Sequence, residues 1–306
     1  MALQSSGQIS LNDVNVELGN SGTAQIGLGD SAVRDLFDVA SGEIEMSDGY
    51  GKASETVLTN EGTINGQSNR KEITVSNFIS AGGTLVVPSG FWVWSDDLST
   101  PAMIVDVACT IKNNGKIIGK GGQNNGTPGG DAIDITSSGV TIINYSGSYI
   151  AGGGAGGGQG QNGLGGGGAG GGPGTDRASY TGGAGGVLNA AGGNGDGGQP
   201  GYGGGAGGGG AGFYWSGAGS GGGGGRILPG SGGSGGGSGG AGGSAGNAGS
   251  NGANPYAGGG GGWGANGGNG YYQGVARQGG YGGNAVEPNS NSYTLTNNGT
   301  VYGATT

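Results

Sequence analysis

Histidine is absent from all 306 residues. With it go the commonest general base, the commonest metal-binding imidazole and the usual partner of a catalytic serine or cysteine. Cys109 stands alone, so neither a disulfide framework nor a cysteine-based zinc cluster can form within the chain. Charge is scarce and lopsided: residues 1–150 hold seven basic and sixteen acidic side chains, a balance of −9, and the remainder is neutral. Between 151 and 286 the only charges are Asp176, Arg177, Asp196, Arg226 and Arg277, too few basic groups to track a phosphate backbone, which argues against a nucleic-acid partner. No run approaches the ~18 apolar residues of a membrane span, and Met1-Ala2-Leu3-Gln4-Ser5-Ser6-Gly7 lacks the basic and apolar regions of a signal peptide.

Asp96-Asp97 and the Asp131/Asp134 pair are the best carboxylate groupings. Such groups can ligate a hard cation or work as a glycosidase pair, but they read as solvated loop carboxylates. Gly115–Gly121 has the wrong spacing for a phosphate loop, and matches to G-x-G-x-x-G are inevitable at this glycine content. The sequence therefore predicts no enzyme, no cofactor and no metal.

What the chain has is glycine, 92 residues of it. Glycine buries no side chain and weakens ordinary helices and strands by roughly 0.5–1 kcal/mol relative to alanine, so a conventional core cannot run through residues 151–286. A flexible linker is the simplest expectation for such a composition. Against it, Gly237, Gly240, Gly243, Gly246, Gly249 and Gly252 recur at every third residue, the repeat of the polyproline II helix. A stripe of hydrogens along one edge lets extended helices approach until backbone groups touch. Collagen is excluded because these triplets contain no proline. An ordered bundle of extended glycine helices is the expectation.

Two further repeats flank it. Gln8-Ile9-Ser10-Leu11-Asn12-Asp13-Val14 is echoed by Gln25-Ile26-Gly27-Leu28-Gly29-Asp30-Ser31 and, more briefly, by Ile44-Glu45-Met46-Ser47-Asp48-Gly49. Each unit sets apolar residues beside a capping Ser or Asp, and Asp30 or Ser31 is expected to cap a short helix through Leu36. From residue 56 to 150 the β-branched and aromatic runs Thr84–Pro88, Phe91–Trp94 and Met103–Ile111 read as strands. Trp92 and Trp94 share one face and Phe91 and Val93 the other, so this strand is expected to be covered on both sides. Ile111-Lys112-Asn113-Asn114-Gly115-Lys116-Ile117 matches Leu295-Thr296-Asn297-Asn298-Gly299-Thr300-Val301, with looser copies at Leu58–Ile64 and Ile143–Ile150. Asn-Asn-Gly between apolar segments signals a turn. The copies read as successive rungs of one β-structure, with the glycine segment an insertion pinned at both ends.

Non-glycine patches interrupt the glycine runs, and their bulky residues are suited to surface recognition, where Tyr, Trp and Arg are the favoured anchors. The candidates are Arg177, Tyr180, Phe213, Tyr214, Trp215, Arg226, Trp263, Tyr271, Tyr272 and Arg277, with Phe213–Trp215 and Tyr271–Arg277 preferred because consecutive bulky side chains cannot all face inward.

Glycine blocks broken by short aromatic segments, such as Ala151–Gly158 and Phe213-Tyr214-Trp215, resemble the receptor-binding tip adhesins of T-even long tail fibres. The leader Met1–Leu11 resembles the start of many phage tail and fibre proteins, and Asn113–Gly122 the glycine rungs of tail-tip proteins. The resemblance implies a mainly β fold plus polyglycine II: an attachment segment at 1–55, a β-strand base at 56–150 completed by 287–306 and built with Asn-Asn-Gly turns, and a layered polyglycine II bundle at 151–286. It implies a virion adhesin, made in the host cytoplasm, whose distal loops meet a bacterial outer-membrane protein or surface glycan. Residues 1–55 are expected to meet other tail or fibre proteins, in a manner different from the T-even adhesins, with a homotrimer or several copies per virion left open. The rival readings are a non-adhesive structural virion protein and, more distantly, an ice-binding or cell-wall glycine protein.

Overall fold

The computed structural model describes residues 3–52, 54–123, 125–161, 165–174, 183–193, 224–234 and 239–306. Two seven-residue helices, α1 (Leu11–Glu17) and α2 (Ser31–Phe37), form near the N-terminus. Helix α1 opens on a capping box: the Ser10 hydroxyl accepts the Asp13 N–H, and the Asp13 carboxylate accepts the Ser10 N–H. Helix α2 starts where the sequence predicts, but the Asp30 carboxylate turns backwards to accept the Gly27 N–H at 2.8 Å and makes no side-chain bond into the helix. Helices this short do not persist alone. They are held by a shared cluster of Leu3, Ile9, Val14, Val33, Leu36 and Phe37, joined by Ile26, Leu28, Ile44 and Met46.

From residue 55 the chain winds as a three-sided coil of mostly parallel strands. Its first turn holds β1 (Glu55–Val57), the antiparallel hairpin of β2 (Gly62–Ile64) and β3 (Gln67–Lys71), and β4 (Ile73–Thr74). The second holds β5 (Thr84–Val87), β6 (Trp92–Trp94) and β7 (Met103–Val105), and the third β8 (Thr110–Asn113), β9 (Lys116–Ile118) and β10 (Ile133–Ile135). The fourth begins with β11 (Val140–Asn144) and β12 (Tyr149–Ala151). After the glycine segment, which carries a hairpin of β13 (Gly270–Tyr272) and β14 (Val275–Arg277), the same turn closes with β15 (Val286–Glu287). Strands β16 (Tyr293–Asn297) and β17 (Thr300–Tyr302) make a fifth turn. Stacking gives three sheets, ordered β1-β5-β8-β11-β16, β2-β3-β6-β9-β12-β17 and β4-β7-β10-β15. The run Met103–Ile111, which reads as strand in the sequence, is split: Asp106–Cys109 forms a corner, so β7 and β8 lie on different sheets.

Alternation sorts the side chains. Phe91, Val93, Ile111, Ile117, Ile142 and Ile150 point into the coil's core with Met103, Ile133 and Val286. Trp92, Trp94 and Ile118 point out of the middle sheet into a second core with Ala151, Ala169, Leu188, Leu228 and Trp263. A sheet buried on both faces reads as a continuous apolar run, as Phe91–Trp94 does. The equivalent asparagines stack in register: Asn113 pairs with Asn144 and Asn144 with Asn297. Asn113 donates to the Asn144 side-chain oxygen at 2.8 Å, and Asn144 donates to that of Asn297 at 2.9 Å. Asn113 and Asn297 also accept the N–H groups of Gly115 and Gly299.

At one corner of the coil the connections lengthen turn by turn: residues 95–102, then 119–132, then 152–285. The last two are tied together by the main chain. Gly153 and Gly156 donate to Gly130 and Thr127, Gly154 and Gly157 to Ala169 and Gly166, and Ala155 and Gly158 to Ala265 and Gly268. Their carbonyls accept, in the same rotation, from Gly283 and Gly280, from Gly122 and Gly126, and from Gly261 and Gly258. Residues three apart thus share a neighbour, and one row is bonded to six others. In the glycine stripe found in the sequence, Gly240, Gly243, Gly246, Gly249 and Gly252 donate to Ala257, Gly260, Trp263, Asn266 and Asn269 at a constant offset; Gly237 lies outside the described residues. At many of the glycine positions the rows lie too close for a side chain. A Cβ on Gly153 would fall less than 3.0 Å from the Lys120 carbonyl oxygen, nearer than real Cβ atoms come.

Candidate functional site

The glycine rows have two unlike ends. The near end abuts the coil: Gly152 donates to the Tyr302 carbonyl, and Trp263, Leu228, Leu188 and Ala169 cover Trp92 and Trp94. From Gly152 the row runs to Gln161, bonded to neighbouring rows along its length, and reaches a far end of different chemistry.

There Gln161, Pro255-Tyr256 and the β13–β14 hairpin meet. The Gln161 N–H is shared by the Pro255 and Tyr271 carbonyls, and Tyr271 donates to the Tyr256 carbonyl at 3.0 Å. The Gln161 side-chain oxygen accepts the Gln273 N–H at 3.2 Å. Gln273 and Gly274 turn the hairpin with φ of 51° and 77°, the positive values that two-residue turns of this kind require. The side chains of β14 are all exposed, with Val275 at 59%. Arg277 places its guanidinium 5.7 Å from the centre of the Tyr272 ring, an exposed cation–π pair. Tyr271 and Tyr272 are half-buried. The result is an amphipathic knob whose backbone is bonded to neighbouring loops.

Two of the ten sequence candidates are corrected. Arg226 is 4% exposed and Trp263 fully buried, both at the near end. The Arg226 guanidinium donates to the carbonyls of Gly170 and Ser95 and to the Asp96 carboxylate at 2.7 Å, and lies 4.8 Å from the Trp94 ring centre. The Trp263 indole donates to the Ile227 carbonyl at 2.9 Å. A large side chain beside glycine rows can equally fill the gap between rows and coil, and here two of them do. Arg177, Tyr180, Phe213, Tyr214 and Trp215 lie outside the described residues. Gln161, Tyr256, Gln273 and Val275 join Tyr271, Tyr272 and Arg277 at the far end; the Tyr-Gln-Gly-Val turn pattern signals Gln273 and Val275, and nothing local in the sequence marks Gln161 as their neighbour.

The carboxylates are engaged structurally. Burial works against ionisation of Asp96, yet hydrogen bonds and charge from Lys120 and Arg226 outweigh it and hold its carboxyl below the ordinary value. Asp131 is raised by burial and by Glu287 and Asp134, against the Asn284 N–H that it accepts at 2.6 Å. Asp134 and Glu287 are register neighbours on β10 and β15. Among the described residues no group of three or more His, Cys, Asp or Glu side chains is placed to hold a metal ion. None of their helices is long and apolar enough to cross a membrane.

The model of the phage tail fibre adhesin Gp38 family matches residues 54–207, half of the chain, from the first strand of the coil into the glycine rows. The chain belongs to the phage tail fibre adhesin Gp38 family. Among solved structures, the gp37–gp38 adhesin tip complex of the bacteriophage S16 long tail fibre is similar at 18% identity and a TM-score of 0.43, covering 98% of this chain and 99% of that one. No curated protein matches. As a Gp38-family protein the chain is a receptor-binding tail fibre adhesin of the virion, which decides between the adhesive and the merely structural readings of the sequence. The match begins after the helical module, so residues 3–52 lie outside it.

Proposed function

We propose that the glycine segment of this adhesin is a bundle of polyglycine II helices, that its far-end loops bind an outer-membrane protein or surface glycan of the host, and that residues 1–55 join the chain to another tail-fibre protein. The observation that carries the reading is the rotation of hydrogen bonds along residues 153–158, where each third residue returns to the same neighbour; three residues per turn is the repeat of such a helix. Held on all sides, the rows act as rigid posts. Loops fixed at their tips meet a receptor with little ordering cost, and aromatic and Arg anchors supply contact area with few rotamers to freeze. The knob of Tyr271, Tyr272, Val275 and Arg277 has that chemistry, and the Phe213-Tyr214-Trp215 run supplies it in sequence. The asparagine stack supports a base in which Asn113-Asn114-Gly115 and Asn297-Asn298-Gly299 are equivalent turns, so that 56–150 and 287–306 form one body and 1–55 and 151–286 flank it.

The test replaces residues 213–215 and 271–277 with Gly and Ser in phage particles. Particles assemble with the chain in place and lose adsorption. Unchanged adsorption overturns the loop assignment.

A further inference from the structure

The flank of the glycine rows has a chemistry of its own. Three backbone N–H groups in residues 264–284 are met by asparagine side chains instead of another row's carbonyl. The Asn251 side-chain oxygen accepts the Asn269 N–H at 2.7 Å, that of Asn269 accepts the Gly279 N–H at 3.1 Å, and that of Asn266 accepts the Gly282 N–H at 3.0 Å. A backbone N–H is accepted by the oxygen of a carboxamide and not by its nitrogen, so each bond also turns the side-chain NH2 away from the row it holds. Among the described residues these three NH2 groups have no acceptor. Asn251 and Asn266 are exposed and Asn269 is half-buried.

Tyr281 stands between the two glycines that Asn269 and Asn266 hold. Its main chain is pinned: its carbonyl accepts the Gly129 N–H at 2.9 Å, and Gly280 beside it donates to the Gly156 carbonyl at 3.0 Å. Its side chain is nevertheless 69% exposed. A lone exposed ring is ordinary on a protein surface. This one is fixed at its base and flanked by amide donors whose orientation is set and whose capacity is unused. Between residues 240 and 286 the only charged side chain is Arg277, on the far-end hairpin.

An aromatic face beside amide donors suits a sugar ring, which has one face of C–H groups and a rim of hydroxyls. With no cation on the flank to hold a carboxylate, sulfate or phosphate, the matching sugar is uncharged. Bare glycine rows around a single ring offer little of the apolar area that the centre of a protein interface buries. Asn266 and Asn269 lie three residues apart on one row and make the same bond to the next, so the donors repeat along the flank as units repeat along a polymer. We propose that Tyr281, Asn251, Asn266 and Asn269 form a binding surface for an uncharged polysaccharide, with Tyr281 stacked on one sugar ring and the asparagine amides donating to hydroxyls of that ring and its neighbours. This surface is separate from the far-end loops and does not depend on what they bind.

The test runs the purified full-length chain in native gels containing dextran, mannan or an uncharged galactan, with dextran sulfate as the charged counterpart, and reads affinity from retardation against polymer concentration. At least one uncharged polymer is expected to retard the chain, and dextran sulfate is not. Tyr281→Ala and Tyr281→Leu are expected to weaken retardation about tenfold with the melting temperature of the parent, and Tyr281→Trp to keep it. The double variant Val275→Ser, Arg277→Ser, which alters only far-end side chains, is expected to bind as the parent does. Absence of retardation by all three uncharged polymers, equal retardation by dextran sulfate, or full retardation of folded Tyr281→Ala or Tyr281→Leu overturns the proposal. Loss of retardation in the far-end double variant moves the sugar to the loops and overturns it equally.

Discussion

Asn144 shows how much a single side chain carries in this coil. It is fully buried; its carboxamide oxygen accepts from Asn113 and from the Ser148 hydroxyl, and its amide donates to Asn297 and to the Thr300 carbonyl. A buried polar group left without a partner costs about 1–3 kcal/mol, and here the neighbours retain some bonds, since Asn113 still reaches the Tyr149 carbonyl and Ser148 that of Tyr145. Asn144→Ala is therefore expected to lose about 2 kcal/mol of stability, read from denaturant melts. Asp131 acts in the opposite direction. Its carboxyl is raised by burial first, so the fold bears a cost while Asp131 is charged and gains stability as pH falls through its raised value. Asp131→Asn keeps an oxygen for the Asn284 N–H and removes that cost. The variant is expected to melt above the parent at pH 7, with the difference closing as the parent is acidified toward pH 4. Asp96, whose carboxyl is lowered, has the reverse sign: its contribution is present above the ordinary carboxylate range and is lost only below it.

At the scale of elements, the strands and the glycine rows obey different rules, and they were legible to different degrees. The strands announce themselves by β-branched residues, and the outward Trp92 and Trp94 and inward Phe91 and Val93 follow from alternation alone. The corner at Asp106–Cys109 was hidden because apolar residues flank Asp106 on both sides, and Cys109 itself is buried, its thiol pushed up to about 11 by burial and by Asp106. In the glycine segment the period of three was readable, but the side on which a large residue lies was not. Arg226 and Trp263 stand beside glycines just as Tyr271 does; which end of a row they occupy depends on the lengths of rows that have almost no side chains to mark them. What holds the rows is backbone proximity, and that makes glycine substitutions sharply position-dependent. Gly153→Ala drives a Cβ into the Lys120 carbonyl, whereas an added Cβ on Gly62 in β2 meets nothing within 4 Å. The first is expected to open the rows to limited proteolysis and to cost at least the ~3 kcal/mol of an overpacked core. The second is expected to stay within about 0.5 kcal/mol. Equal effects from both would mean that the rows are not packed by contact of their main chains.

The whole molecule is a coil of five turns with a large excursion from one corner of the fourth. That corner is also where the second turn crosses with only residues 95–102 and the third with 119–132, so the coil can close there on eight residues. Replacing residues 152–285 with a link copied from 95–102 is therefore expected to leave a folded parallel coil, because β15, β16 and β17 still find β10, β11 and β12 in register. The excision has a defined cost. It strips Leu188, Leu228, Trp263 and Ala169 from Trp92 and Trp94 and leaves Asp96 without Arg226. The shortened chain should thus keep a cooperative β melt in circular dichroism but bind hydrophobic dye and self-associate. Changing Trp92 and Trp94 to Thr and Gln, which suit a solvated strand, should restore a monomer. Phage carrying this chain should assemble and fail to adsorb. Loss of the cooperative melt in both shortened chains would show instead that the glycine rows form part of the coil's own core, and the division between a base that holds and an excursion that recognises would have to be withdrawn.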